Sequence, residues 1–468
     1  MSPSTDRRMG ALTVLCAMSL MIVLDSTIVA VAVPDIQRDL GFTDAGVSWV
    51  VNGYLVAFAG LLLLAGRLGD LAGAWRVFLA GLTLFTAASL LCGSATTAGL
   101  LIAGRFVQGA GGALAAAVVI GMIVRLFPEP AAQARAMGIY SFTQAGGAAA
   151  GFVLGGLLTD ALGWPVIFLI NVPIGVAVYL FGRRLLPRET GPGLGRGLDV
   201  PGALLITAGL SLGVYAIVGS SVAAAAAAVL LIAGFLLRQR LARHPLIPLR
   251  ILSRRRLLIA SAAVVLVFAT GMGFQFMNAL FVQRVMGYDA LGTGLAFLPT
   301  PIVIGLVSLF AAPRLTGRFG PRPVLMAGLT VLVGGLLLLW RAPVAPSYVA
   351  DMLPGLIIMG LGIGVTIPSI IMLAMSGAAP ADTGAASGFV NTAQQAGGAL
   401  GLSVLAALAA DRTGSSSSVA ALHAGYTLAF LVAAGFVLAA LLITAILLRR
   451  DQDPTAPVRH VETTTAQA

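Results

Sequence analysis

Arg67-Leu68-Gly69-Asp70-Leu71-Ala72-Gly73, followed by Ala80-Gly81-Leu82-Thr83, returns in the same order as Arg314-Leu315, Gly320 and Ala327-Gly328-Leu329-Thr330. A second string, Gln144-Ala145-Gly146-Gly147-Ala148, returns as Gln395-Ala396-Gly397-Gly398-Ala399. The two offsets nearly agree, so the chain contains an internal repeat. Apolar runs between turn or charge breaks fall at 11–33, 47–66, 77–95, 98–123, 137–159, 166–186, 199–218, 221–238, 257–281, 293–313, 324–341, 347–375, 385–409 and 426–448. Most approach the roughly twenty residues that a helix needs to cross a hydrocarbon core of about 30 Å. The repeat offset equals eight spans, so helices 1–6 match helices 9–14 and helices 7 and 8 are inserted between them. Two like-oriented halves are a transporter architecture with the substrate path at their interface. The fold expected is an all-α integral membrane protein with 14 transmembrane helices, two six-helix bundles plus a two-helix insertion. Its parts are an N-terminal bundle over 1–190, a linker with helices 7 and 8 over 191–248, a C-terminal bundle over 249–450 and a cytoplasmic tail over 451–468.

Composition agrees. Charged residues are 10% of the 468, hydrophobic residues 59%, and mean hydropathy is +1.00, against roughly 25% charged in a soluble domain. The net charge of +11 would suggest nucleic acid in a soluble chain, but the positions of the basic residues follow the topology. All are Arg. With both termini inside, only Arg38, Arg284, Arg341 and Arg412 fall in outer loops, and only Arg105 falls well inside a span. That asymmetry is a positive-inside signal and places the chain in the inner (plasma) membrane with both termini cytoplasmic. Arg7-Arg8 ahead of the first apolar run reads as an uncleaved first helix.

Several chemistries are excluded. A P-loop needs a Lys, and the chain has none, which removes a one-chain ATP-driven pump and any Lys Schiff base. His244, His423 and His460 lie in loops or the tail, so no metal or haem site in the membrane is expected, and no cofactor. Cys16 and Cys92 sit in apolar runs as small buried side chains. No catalytic residue is expected, and the chain reads as a non-enzyme.

Asp25 is the one acid read as lying well inside a span, where an ionisable group costs about 2.5–3.5 kcal/mol or more on insertion scales. Its basic counterpart is Arg105. Counting residues to the helix ends puts both roughly 10–13 Å below the outer face, so pairing, or competition for one proton, is geometrically open to them. Gly147, Gly151 and Gly155 share one helical face at four-residue spacing, with Gly156 beside them, and permit close backbone approach. Polar or aromatic residues inside spans are the substrate-lining candidates: Asn52, Tyr54, Gln144, Phe274, Gln275, Met277, Asn278, Asn391 and Gln395. Interhelical hydrogen bonding is the alternative for each polar one, and a lipid-facing position or core packing for Phe274 and Met277.

These residues carry a resemblance covering nearly the whole chain. Leu24-Asp25-Ser26-Thr27-Ile28-Val29-Ala30-Val31-Ala32-Val33-Pro34 is similar to the helix 1 motif of the fourteen-spanner drug:proton antiporters of the major facilitator superfamily, with Ala30 where Asn is usual. Leu101 to Arg105, with Gln108, Gly109 and Gly111, resembles the helix 4 motif. Gly66-Arg67-Leu68-Gly69-Asp70-Leu71-Ala72-Gly73-Ala74-Trp75-Arg76 resembles the gating motif, with Leu71, Ala74 and Trp75 in place of basic residues. Gly147 to Gly156 resembles the helix 5 antiporter motif with Phe152 in place of its Pro, and Gly163-Trp164 with Ile167 to Pro173 completes the match. The resemblance implies proton coupling at Asp25 and Arg105 and gating at Gly66, Asp70, Gly73 and Arg76. It further implies proton-coupled export, by alternating access, of small lipophilic neutral or monocationic compounds such as drugs or antibiotics. Export or proton-coupled import of one endogenous metabolite is the alternative. The partners implied are a small-molecule substrate, protons and the lipid bilayer, without nucleic acid, for a monomeric protein.

Overall fold

The computed structural model describes residues 5–43, 45–188, 191, 193, 197–242, 245–247, 255–375, 383–414 and 418–447. Among them all regular structure is helical, and fourteen helices are long and apolar enough to cross a membrane. They are α1 (Arg7–Leu40), α2 (Gly46–Ala72), α3 (Ala74–Gly93), α4 (Ala98–Leu126), α5 (Arg135–Leu162), α6 (Pro165–Leu185), α7 (Val200–Val218), α8 (Val222–Leu241), α9 (Arg255–Arg284), α10 (Ala290–Phe319), α11 (Pro321–Trp340), α12 (Tyr348–Met375), α13 (Gly388–Thr413) and α14 (Val419–Leu447). With an even number of spans, the first and last described residues lie at one end of the bundle, here called the terminal end. The opposite end is the distal end. The expected boundaries near 190, 248 and 450 and the tail 451–468 fall outside the described residues.

The repeat read from the sequence is visible in the packing. Gly73 and Gly320, at matching positions, have φ of 97° and 80° and turn the chain between α2 and α3 and between α10 and α11. A side chain at either position would be strained in that region. At the next repeated glycine the helices touch backbone to backbone. A Cβ on Gly81 would lie 2.8 Å from the Gly111 carbonyl, and one on Gly328 would lie 3.1 Å from the Gly362 carbonyl. Small residues at such crossings allow the close approach that holds membrane helices together.

The inserted hairpin α7–α8 leans on both halves, with Gly60 of α2 against Thr207 and Leu400 of α13 against Gly213. Its terminal end is built around Asp199, which is buried like Asp25 but lies in a separate site. Asp199 accepts the Gly202 backbone N–H at 3.0 Å, capping α7, and takes hydrogen bonds from Arg238 and Gln239 of α8. Gln239 in turn accepts the Ile247 N–H at 3.1 Å and pins residues 245–247 beneath the hairpin.

Helix ends depart from the apolar runs where tertiary contacts extend them. α1 continues through Pro34 to Leu40 instead of stopping at 33. Pro34 cannot donate to the Ala30 carbonyl, yet the following turns are held by Gln37 to the Phe42 carbonyl (3.3 Å) and by Trp164 to Asp39 (2.8 Å). α14 begins at Val419 rather than 426, and α10 is interrupted by a π-helical turn at Val307–Ala311. The outer faces of α8 and α10 expose Val229, Leu230, Leu306, Leu309 and Phe310, apolar surface of the kind that acyl chains cover.

Candidate functional site

Asp25 and Arg105 meet in the interior of the first half. Asp25 is 0% exposed and Arg105 is 1% exposed. Arg105 Nη1 donates to Asp25 Oδ2 at 2.5 Å and to Gln108 Oε1 at 2.7 Å, and its Nε donates to the Val50 carbonyl at 2.8 Å. The other carboxylate oxygen, Oδ1, accepts from Gln108 Nε2 at 2.7 Å and from Asn171 Nδ2 at 3.2 Å. Gln108 also reaches Ser89 at 2.9 Å. Five helices, α1, α2, α3, α4 and α6, therefore converge on one carboxylate and one guanidinium. The guanidinium also lies 4.7 Å from the Tyr54 ring centroid and 5.6 Å from that of Phe168, where the aromatic faces favour positive charge. Both ions are thus desolvated but paired and hydrogen-bonded, the arrangement that makes a buried charge tolerable.

The sequence picked out Asp25 and Arg105. Gln108 and Asn171 lay inside quoted motif strings but were not singled out. Nothing in the sequence marked Ser89.

A cavity of about 1070 Å³ opens beside this pair toward the terminal end. Ile22, Val23 and Ser26 of α1 line it, while Asp25 faces away from it into the first half. Tyr54 lines the cavity and also contacts Arg105, so its ring is the wall between the cavity and the ion pair. Gly66, Arg67, Asp70 and Arg125 stand at the mouth. Asp70 and Arg76 are exposed, and no ion pair joins them among the described residues, in keeping with an open terminal end. Gly73 serves as the turn already described.

Of the substrate-lining candidates, Tyr54, Gln144, Asn391 and Gln395 line this cavity. Asn52, Phe274, Gln275, Met277 and Asn278 do not. The reason is depth. α9 presents Phe268 and Met272 to the cavity, and Phe274 to Asn278 lie further toward the distal end, where the halves are closed. Phe274 packs on Phe430 with centroids 5.3 Å apart, and Met277 and Asn278 are buried. Asn52, near the distal start of α2, donates to Ser403 at 2.9 Å and ties the halves together.

The distal closure includes the antiporter-motif helix. Gly147, Gly151 and Gly155 press α5 onto Leu20, Thr27 and Ile28 of α1. Gly156 faces the second half, where a Cβ would lie 2.5 Å from the Ala290 carbonyl. Phe152 stacks on Phe297 of α10 with centroids 4.8 Å apart and an interplanar angle of 17°. Leu291 N donates to Asp160 at 2.7 Å, Gln283 donates to the Val31 carbonyl at 2.8 Å, and Arg284 bonds Gln37.

An aromatic pair contributes about 0.5–1.5 kcal/mol beyond its buried area. Phe152→Ala is accordingly expected to raise the distal-open population roughly two- to ten-fold. Spin labels on Thr43→Cys and Val344→Cys, at exposed distal loops of the two halves, measure this as growth of the longer-distance population. An unchanged distance distribution would remove Phe152 from the closure.

The family model for the Major Facilitator Superfamily matches residues 15–402. The chain belongs to the Major Facilitator Superfamily. It is therefore a membrane transporter of small molecules, not an enzyme. This superfamily member is 38% identical over 98% of its length to the cephamycin export protein CmcT of Amycolatopsis lactamdurans, covering 96% of that protein. It is 36% identical to the puromycin resistance protein pur8 of Streptomyces alboniger, over 94% of this chain and 90% of that one. A probable actinorhodin transporter of Streptomyces coelicolor is 34% identical, over 89% of this chain and 75% of that one. Among solved structures, a bacterial homolog of the human lysosomal transporter Spinster, in an inward-facing and occupied conformation, superposes with a TM-score of 0.72 at 15% identity. That match covers 97% of this chain and 100% of the other, and at that identity it bears on the fold alone.

Proposed function

We propose that this transporter exports small lipophilic compounds, neutral or monocationic and of the antibiotic or drug class, in exchange for protons. The observation that carries the reading is the fully buried Asp25–Arg105 pair, set behind Tyr54 at the wall of a cavity open at one end. A buried carboxylate whose cation partner sits on another helix can exchange that partner for a proton as the helices move and access alternates. Asn278 supports a second state. Both atoms of its amide are buried without a hydrogen-bond partner, a cost that water relieves when the distal end opens.

The Arg distribution supports a cytoplasmic terminal end, so the cavity described faces the cytoplasm, in the plasma membrane, for a monomer. Each proton moving down 100 mV supplies about 2.3 kcal/mol, enough for roughly a fifty-fold gradient of neutral solute. The relatives named for export of, or resistance to, antibiotics support this direction of transport. Because each of those names carries one compound, a narrower reading is export of a single product. A susceptibility panel of toxic compounds in an efflux-deficient host, with Asp25→Asn as control, separates the two. Protection against several unrelated compounds supports broad export, and protection against one supports the narrow reading. No protection against any would contradict export.

Charge should limit the substrates. The carboxylate among the described cavity-lining residues is Asp70, at the mouth. A dication held deeper would leave two charges unpaired against a monocation's one, and each is costly in a low-dielectric site. In everted vesicles, ethidium, a monocation, is expected to accumulate at least about ten-fold more than its dicationic analogue propidium. Equal accumulation would contradict this charge limit.

A further inference from the structure

Gln144 and Gln395 occupy matching positions in the repeat, on α5 and α13, and both line the one cavity. The sequence repeat therefore sets two primary amides on opposite halves of the protein, facing a shared space. Gln144 Nε2 donates to the Tyr140 hydroxyl at 3.1 Å, while its Oε1 is buried without a hydrogen-bond partner. An orphaned buried acceptor is costly unless something donates to it. Around the amides the wall mixes the apolar and aromatic Phe58, Phe268 and Met272 with the uncharged polar Ser26, Asn391 and Gln394, and the charged lining residues Arg67, Asp70 and Arg125 stay at the mouth.

We propose that Gln144 and Gln395 form a two-sided amide clamp that selects uncharged substrates. Such a substrate carries an O–H or N–H donor on the edge facing Gln144, a second hydrogen-bonding group on the opposite edge facing Gln395, and an apolar or aromatic body between. This rests on the proposed function and deepens it, since it ranks neutral compounds above monocations. The amides cannot neutralise a cation, but they can satisfy a neutral polar edge that would otherwise be desolvated without a partner. Because each half supplies one amide, the clamp also closes across the interface that alternating access must rearrange.

Equilibrium binding to the purified protein tests this without a proton gradient. The probes are radiolabelled chloramphenicol, neutral with hydroxyl and amide donors at one end and a nitro acceptor at the other, and tetraphenylphosphonium, a monocation with no hydrogen-bonding group. Chloramphenicol is expected to bind the tighter of the two. Gln144→Met and Gln395→Met should each weaken it about five-fold, the worth of one neutral hydrogen bond, and together by roughly the product, about 25-fold. Tetraphenylphosphonium affinity and the melting temperature should stay unchanged in both, which separates a binding role from a structural one. Gln144→Glu should reverse the preference toward the cation.

Unchanged chloramphenicol affinity in both Met substitutions, no saturable chloramphenicol binding to the native chain, or a native preference for the cation would each overturn the clamp. Asp25→Asn, run in parallel, should keep chloramphenicol binding. Its effect on driven transport tests the proton reading independently, so failure of one reading does not disguise failure of the other.

Discussion

Asp25→Asn is expected to abolish proton-driven efflux while the protein remains inserted and still binds substrate. The substitution keeps the shape of the side chain but replaces one acceptor oxygen with a donor. Every neighbour of that carboxylate is itself a donor: Arg105 on one oxygen, Gln108 and Asn171 on the other. At least one pair of donors then faces each other, and the Arg105 charge is left without its anion. Breaking a buried ion pair from one side costs about 3–5 kcal/mol in proteins where it has been measured. More important for transport, the side chain can no longer gain or lose a proton. The loss should equal the proton's contribution, so steady-state substrate gradients fall by up to roughly fifty-fold per 100 mV. Accumulation of radiolabelled substrate in everted vesicles measures it. Undiminished accumulation would take Asp25 out of the coupling mechanism.

Arg105→Lys should restore little of what Arg105→Ala destroys. The guanidinium uses two nitrogens on different targets, Nε on the Val50 carbonyl and Nη1 on Asp25 and Gln108, while its plane lies near the Tyr54 and Phe168 rings. An ammonium is a compact point charge and cannot hold that fork. Losing one hydrogen bond to a charged group, at about 1.5–3 kcal/mol, corresponds to a roughly ten- to hundred-fold fall in driven transport for Arg105→Lys. In Arg105→Ala the carboxylate is buried without its cation partner, and the pair that couples the proton is gone. That substitution should therefore lose driven transport yet keep gradient-independent substrate exchange. Full activity of Arg105→Lys would reduce Arg105 to a simple charge.

Much of this architecture could be read before any coordinates. Apolar length gave the fourteen spans because a bilayer imposes a length that no other environment does. The repeat strings gave the pairing of halves, and both crossings where those glycines lie are backbone contacts. The Asp25–Arg105 pair was legible because ionisable residues are so expensive in hydrocarbon that two at one depth invite a partner.

What stayed hidden depends on which way a polar residue faces. Gln108 and Gln144 look alike as amides inside apolar runs, yet one braces the ion pair and the other lines the cavity. Asn278 looked like a cavity residue because it is polar, but depth along α9 placed it behind the distal closure. Asp199 sat at the edge of its span, and its burial comes from Arg238 and Gln239 on the following helix, a contact that spacing alone does not reveal. The Phe152–Phe297 stack joins residues far apart in sequence, and only Phe152 lies in a motif string.

In the proposed mechanism a proton site at Asp25 couples substrate movement to the gradient. Proteoliposomes enclosing a pH-sensitive dye and preloaded with substrate measure it directly. Substrate leaving down its own gradient should draw protons inward and acidify the lumen with the native chain. With Asp25→Asn, labelled substrate should still exchange but the lumen should stay at constant pH. Equal acidification by both proteins would contradict the account.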